Sequence, residues 1–212
     1  MKTIILTLNE AKDLDALPRD AREQVESGLR RYAMTSQGDV KRLQGRKGFR
    51  LRIGSYRVIF DENLTTILAI YVGRRDTTTY KRRSNMGTPQ IIRTANGEEL
   101  VVLPRAEYEA LLGRNDQDAE DAEDVAIYDA RKAELNAGGI VLPEEVSAAM
   151  LRGESRLKAI RKWRAMTQLH IESRTHIGQG YLSDLESGRR TGTPETIAKL
   201  AKALKVPVEW LS

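Results

Sequence analysis

The sequence predicts a small α+β domain with a helix hairpin on an antiparallel sheet, then a β-hairpin with a helix, then an all-α domain of five helices. Three observations carry this fold class. In Phe49-Arg50-Leu51-Arg52-Ile53-Gly54-Ser55-Tyr56-Arg57-Val58-Ile59-Phe60, apolar residues alternate with Arg50 and Arg52 before a Gly54-Ser55 reversal, the side-chain period of paired strands. Upstream, Leu17, Ala21, Val25, Leu29 and Tyr32-Ala33 recur at three- and four-residue intervals, the spacing of an amphipathic helix. Beyond residue 155, short apolar-periodic segments punctuated by glycine and threonine read as a compact helical unit.

Composition sets the outer bounds. The chain has 212 residues, enough for one large domain or two small ones. Its apolar runs are too short to span a bilayer and no basic-then-apolar leader opens it, so no membrane partner is expected. No cysteine is present, which excludes disulfides, thiol nucleophiles and thiolate metal sites and fits a cytoplasmic setting. His170 and His176, expected as surface or turn residues, make no metal site by themselves, and neither a metal nor a cofactor is expected. The net charge of +5 hides three blocks. Residues 1–83 carry 18 Lys and Arg against 10 Asp and Glu, residues 86–154 carry 6 against 15, and residues 155–212 carry 11 against 5. Basic, acidic, basic is the order of two nucleic-acid-facing modules separated by a segment able to neutralise one of them.

Taken in order, Lys2 to Leu8 reads as a strand, Asn9 as a helix cap, and Pro18 as the start of a second helix. Gly38-Asp39 closes the hairpin, and the following strands place Arg50, Arg52 and Arg57 on one face, the face opposite Phe49, Leu51 and Ile53. Leu64 to Val72 is almost unbroken apolar sequence, as expected of a central strand covered on both faces, and it delivers Arg75 and Tyr80 just past its end. Lys41, Arg42, Arg46, Lys47 and Arg74 extend this basic surface and are expected to hold RNA phosphates.

The run Leu17-Pro18, the segment Gly38-Asp39-Val40-Lys41-Arg42-Leu43, the strand Tyr56-Arg57-Val58-Ile59-Phe60 and the closing Gly73-Arg74-Arg75 make residues 1–83 resemble the RelE/ParE superfamily of bacterial toxins. The resemblance implies either a RelE-type endoribonuclease that cuts messenger RNA in the ribosome or a ParE-type inhibitor of DNA gyrase. In the RelE case the catalytic set falls on Arg50, Arg52, Arg57, Arg75 and Tyr80. Lysine is common in RelE where this chain has Arg50 and Arg52, and the tail between Arg75 and Tyr80 is a residue shorter. Chemically, the arginines stabilise phosphorane charge but are poor bases. Tyr80, its phenol pulled down by neighbouring guanidiniums, is the best available base.

Ser84-Asn85-Met86 reads as a junction, either the scar of a cleaved tag before a second polypeptide or a natural linker. Residues 87–113 form a ribbon and helix. Gln90 to Thr94 and Glu99 to Leu103 flank Asn96-Gly97, a strong hairpin signal, and Pro104 opens a helix that Gly113 closes. The Leu103-to-Leu111 run is similar to the amino-terminal segments of some antitoxins.

Residues 114–154 are the acidic segment. Asp121, Glu123, Asp124, Val125, Ile127 and Tyr128 are expected to fold against the arginine face and neutralise it, or else the stretch is a solvated spacer. A short helix is expected from Leu142 to near Gly153.

In residues 155–212 a helix from Arg156 to Thr167 is expected to expose Lys158, Arg161, Lys162 and Arg164. The Tyr181-Leu182-Ser183-Asp184-Leu185-Glu186-Ser187-Gly188 run makes this segment resemble the Xre/Cro helix-turn-helix family. The resemblance puts the third helix in the major groove of operator DNA, with Gln179, Gly180, Tyr181, Ser183 and Asp184 at its start or on its outward face. Gln168, Arg189 and Arg190 would hold phosphates. Together these readings describe a toxin–antitoxin pair that forms a complex between residues 1–83 and 87–154, with ribosome and messenger as toxin partners and a dimer formed through the antitoxin. The alternatives are a gyrase inhibitor with its antitoxin, or mainly a DNA-binding regulator carrying an inert RelE-like module.

Overall fold

A computed structural model describes residues 1–74, 90–93, 99–102 and 116–212. The first strand, β1 (Thr3–Leu6), leads into helices α1 (Leu8–Asp15) and α2 (Arg19–Thr35), which precede β2 (Asp39–Arg42), β3 (Phe49–Ile53), β4 (Tyr56–Glu62) and β5 (Thr66–Arg74). The cap of α1 is Thr7, not Asn9: the Thr7 hydroxyl accepts from the Glu10 amide at 3.2 Å, and Asn9 falls inside the helix. Pro18 is the N-cap of α2, one position earlier than its expected place.

The five strands run in the order β1-β5-β4-β3-β2. Strands β2 to β5 are antiparallel, but β1 pairs with β5 in parallel, Leu6 opposite Ala69, so the sheet is mixed rather than antiparallel. The α1–α2 hairpin carries the chain from one edge of the sheet to the other, which is what allows a parallel pair. On the helix side, Leu14, Val25 and Leu29 pack against Leu6, Leu51, Val58 and Phe60. Two further strands, β6 (Gln90–Arg93) and β7 (Glu99–Val102), form the expected antiparallel ribbon, Gln90 opposite Val102. The helix expected from residues 105–112, the Ser84-Asn85-Met86 junction, Arg75 and Tyr80 lie outside the described residues.

Helix α3 (Asp116–Asn136) crosses the second face of the sheet. There Tyr128, with Val125 and Ile127 beside it, packs on Leu43, Ile59 and Ile70. After Gly138 the chain returns along the free edge of β1: the Leu8 amide donates to the Ile140 carbonyl at 2.8 Å and the Leu142 amide to the Leu6 carbonyl at 3.0 Å. Helix α4 (Glu144–Met150) follows, with Val146 and Met150 fully out of water and the Ser147 hydroxyl accepting from the Leu6 amide at 3.1 Å. This buried contact gives β1 an edge partner that an exposed strand would lack.

The remaining helices are α5 (Arg156–Trp163), α6 (Gln168–Thr175), α7 (Gln179–Glu186) and α8 (Pro194–Leu204), closed by a 3-10 turn at Val208–Trp210. The first ends at Trp163, earlier than Thr167, because Ala165 takes a φ of 52° and Thr167 becomes the cap of α6. Trp163 stacks on Trp210 at 5.9 Å between ring centroids, tying the first helix to the last turn.

Candidate nucleic-acid interfaces

The first site is the face of the sheet beneath α3. Register sets its layout. Arg52 lies opposite Arg57, and Arg57 opposite Gly73; one row on, Lys41 lies opposite Arg50, Arg50 opposite Ile59, and Ile59 opposite Tyr71. Cross-strand neighbours share a face, so three guanidiniums, an ammonium and a phenol sit together.

Each of these cations meets a carboxylate of α3. Arg50 Nη1 is 2.7 Å from Asp124 and 3.0 Å from Asp121, Arg52 is 2.6 Å from Glu120, and Arg57 is 2.8 Å from Glu123 and 2.9 Å from Asp124. Lys41 pairs with Asp121, and Arg46 grips both oxygens of Asp129 at 2.6 Å. Arg50 and Arg57 are 1% and 2% exposed, so the residues expected on an open surface are covered. Burial pushes the Asp124 carboxyl up while Arg50 and Arg57 pull it back. Burial pulls the Arg57 guanidinium down, but Glu123 and Asp124 outweigh it and hold it above its ordinary value.

Of the expected neutralising residues, Asp121, Glu123 and Asp124 make ion pairs, Val125 and Ile127 pack partly buried, and Tyr128 is inserted. The Tyr128 ring lies over Gly48, where a Cβ would come within 2.4 Å of it, and its hydroxyl donates to Asp61 at 2.9 Å. Burial and that acceptor push its phenol up to about 12. Glu120 and Asp129, members of the acidic block of residues 115–134 expected to meet the arginines, pair with Arg52 and Arg46. Sequence reasoning missed Arg131 and Lys132, which reach Asp13 at 3.0 Å and Asp61 at 2.7 Å. The signal was available: Arg131 and Lys132 follow Tyr128 by three and four residues, on the helical stripe that 121, 124 and 128 begin. Of the expected RNA-binding set, Arg42 and Lys47 line an open groove of about 660 Å³ with Lys41, Arg46, Arg50 and Asp121, and Arg74 is exposed at the end of β5.

The second site is the helical domain. Leu182 and Leu185 hold α7 to the core while Gln179 and Gly180 are exposed and Tyr181, Ser183 and Asp184 are half-buried. Arg189 and Arg190 project beyond the helix but pair with Asp184 at 2.8 and 3.5 Å, and Arg190 lies 5.7 Å from the Tyr181 ring centre. Gln168 does not stand free: its amide donates to Glu186 at 3.0 Å. Arg161 corrects the expectation most clearly. It is buried, and its guanidinium holds Glu186 at 2.5 and 3.0 Å, joining α5 to α7. His170 completes a capping box with Thr167, and His176 takes a φ of 58° at the C-cap of α6. Among the described residues no group of three or more His, Cys, Asp or Glu could hold a metal, and no helix is long and apolar enough to cross a membrane.

Two helices joined by a tight turn, the second exposing its amino-terminal residues, define a DNA-binding helix-turn-helix module. Residues 157–211 match the helix-turn-helix family model, and the chain belongs to that family. An uncharacterized HTH-type transcriptional regulator, y4dJ, from Sinorhizobium fredii (strain NBRC 101917 / NGR234) is 42% identical over 52 residues, 24% of this chain and 68% of the relative. A RelB-RelE antitoxin-toxin complex from Methanococcus jannaschii is similar over 35% of this chain and 94% of its own at 21% identity and a TM-score of 0.31, too distant to carry an argument.

Proposed function

We propose that the chain is a toxin–antitoxin unit. Residues 1–83 are a RelE-like toxin module acting on messenger RNA at the ribosome, residues 87–113 a ribbon segment, residues 114–154 its neutralising segment, and residues 155–212 a repressor domain binding its own operator. Residues 84–86 join the halves. One observation carries this reading: a single helix from the second half supplies carboxylates to Lys41, Arg46, Arg50, Arg52 and Arg57 of the first. A face that takes a row of carboxylates with paired geometry also takes phosphodiesters, because guanidinium forks bind the oxygens of both.

On that reading, α3 leaves and RNA takes its place. Arg50, Arg52 and Arg57 then stabilise charge at the phosphorus while the 2′-hydroxyl attacks, Tyr80 taking its proton as base and Arg75 completing the set. The phosphorus–5′-oxygen bond breaks, leaving a 2′,3′-cyclic phosphate and a 5′-oxygen that is protonated from water. Two uses of one chain, repression through the helix-turn-helix module and neutralisation through α3, fit the basic, acidic, basic order of charge.

The test uses the full chain and an opened variant, Glu120→Lys/Asp124→Lys, in which lysines face the buried arginines. Both are added to ribosomes translating a defined message, and breaks are mapped by primer extension. The parent should leave the message intact, the opened variant should cut within the decoding codon, and adding Arg57→Ala should abolish the cuts. Intact message with the folded opened variant would sink the ribonuclease reading and direct attention to gyrase-dependent supercoiling.

A further inference from the structure

The arginines of the sheet face are donors only and keep one protonation state at any accessible pH. A phenol adds a neutral hydroxyl that donates to a phosphate or ribose oxygen and can also accept, which no guanidinium does. Among the tyrosines of residues 1–74, Tyr32 donates to Glu62 at 2.9 Å and Tyr56 packs against the helix-side core. Tyr71 is the one on the arginine face.

Its placement is specific. β4 and β5 pair with a register shift at Ile59/Phe60, so that Phe60 faces Ala69 while Ile59 faces Tyr71. The extra residue brings Ile70 and Tyr71 together into the cluster under α3. From there the phenol leans along its own strand over Gly73. A Cβ at residue 73 would lie 1.9 Å from the Tyr71 hydroxyl, so the hydroxyl occupies space that only glycine leaves open. Gly73 is directly opposite Arg57, which puts hydroxyl and guanidinium side by side.

α3 then covers both. Glu123 pairs with Arg57, and the Arg131 guanidinium lies 5.7 Å from the Tyr71 ring centre. Burial under the helix raises the Tyr71 phenol, and Arg57 pulls it back; removing α3 removes the burial and Glu123 while leaving Arg57.

The geometry points to Tyr71 as a substrate-contacting residue of this face: its hydroxyl, held over Gly73 beside Arg57, hydrogen-bonds the backbone of single-stranded RNA once α3 has left. The assignment rests on the reading that α3 masks an RNA-binding surface. It makes the Tyr71-Val72-Gly73 sequence a functional unit, with Gly73 as the residue that lets the hydroxyl reach its place.

The experiment measures binding of a short fluorescent 2′-O-methyl RNA, which cannot be cleaved by 2′-hydroxyl attack, by anisotropy. The protein is the full chain carrying Arg189→Ala/Arg190→Ala, which removes exposed cations of the helix-turn-helix surface from the signal. In that background Glu120→Lys/Asp124→Lys should bind more tightly than the closed chain. Adding Tyr71→Phe should weaken the opened chain about tenfold, the scale of one hydrogen bond to a charged group, whereas Tyr56→Phe should leave it unchanged. If the double lysine variant does not stay folded by circular dichroism, Glu123→Lys at its half-exposed position opens the Arg57 end alone. Opened chains that bind equally with and without the Tyr71→Phe change would reduce Tyr71 to packing while leaving the masked-surface reading intact. Opened chains that bind no better than the closed one would overturn both.

Discussion

Arg50 and Asp124 meet at 2.7 Å with 2% and 0% of their side chains exposed. The contact joins residues 74 positions apart across the two faces of one interface. In so dry a site, attraction is strong but desolvation costs nearly as much, so the intact pair adds little net stability. Removing one partner is a different matter, because the remaining charge then stays buried without its closest partner.

Asp124→Ala is therefore expected to cost about 3 kcal/mol in chemical denaturation of the full chain, since it takes the closest, fully buried partner from Arg50 and a second partner from Arg57, leaving them Asp121 and Glu123. Asp129→Ala removes a pair whose side chains are 42% and 45% exposed and screened by solvent, and should cost clearly less than Asp124→Ala. Equal losses at the two positions would mean that Tyr128 and its apolar neighbours hold α3, with charge contributing nothing specific.

Glu10 gives a pH-dependent prediction. It is fully buried and neither carboxyl oxygen has a hydrogen-bond partner among the described residues. Burial raises it well above its ordinary value, Asp13 adds to the rise, and Arg131 opposes it. A raised carboxyl binds its proton more tightly folded than unfolded, so its contribution is fully present below about pH 4, under the unfolded value, and is lost as pH climbs through the folded one. Glu10→Gln should match the parent at acid pH and melt higher at pH 8, each kcal/mol gained appearing as about 2–4 °C in a chain this size. A constant difference between the two melting curves across that range would refute the assignment.

Arg161 and Glu186 make a second buried pair, this one between α5 and α7. Glu186→Ala is expected to cost about 3–5 kcal/mol and to free the Gln168 amide. Arg161→Met/Glu186→Leu replaces both charges with apolar groups of similar bulk and should recover most of that loss. Thermal denaturation of the singles and the double closes the cycle. Additive losses would show that the two side chains act independently despite their contact.

Much of this was legible in the sequence, and the exceptions have physical causes. The alternation of Phe49 to Ile53 is local, so it located β3 and put Arg50 and Arg52 on one face. The opposed charge blocks anticipated α3 over the arginines, because complementarity survives without knowing the geometry. The parallel β1–β5 pair left no such mark: it depends on how the α1–α2 hairpin returns, and parallel and antiparallel partners look alike in a buried strand. Tyr71 was absorbed into an apolar run, since its position on the arginine face depends on a register shift that local periodicity does not encode. Arg161 was read as exposed among its basic neighbours because its partner, Glu186, lies 25 positions away. Ile140 to Leu142 was likewise invisible as an edge partner of β1, being too short to alternate.

At the exposed start of α7, the expected base contact of Gln179 and the expected phosphate contact of Arg189 can be told apart by experiment. Gln179 is exposed, and the described residues show no partner for its side chain, so its amide is free to meet a base edge in two places. Arg189 is tied to Asp184 at 2.8 Å, a contact it would trade for a phosphate in the proposed complex. Gln179→Ala should then relax discrimination at one operator position by about 1–3 kcal/mol while leaving the salt dependence of binding unchanged. Arg189→Ala should weaken all sequences alike, with the slope of log affinity against log salt falling by at most about one. Anisotropy titrations on a selected operator and its single-base variants, repeated at several salt concentrations, measure both. A Gln179→Ala protein with unchanged base preference would move recognition off the start of this helix and onto Ser183, Asp184 or the shape of the DNA.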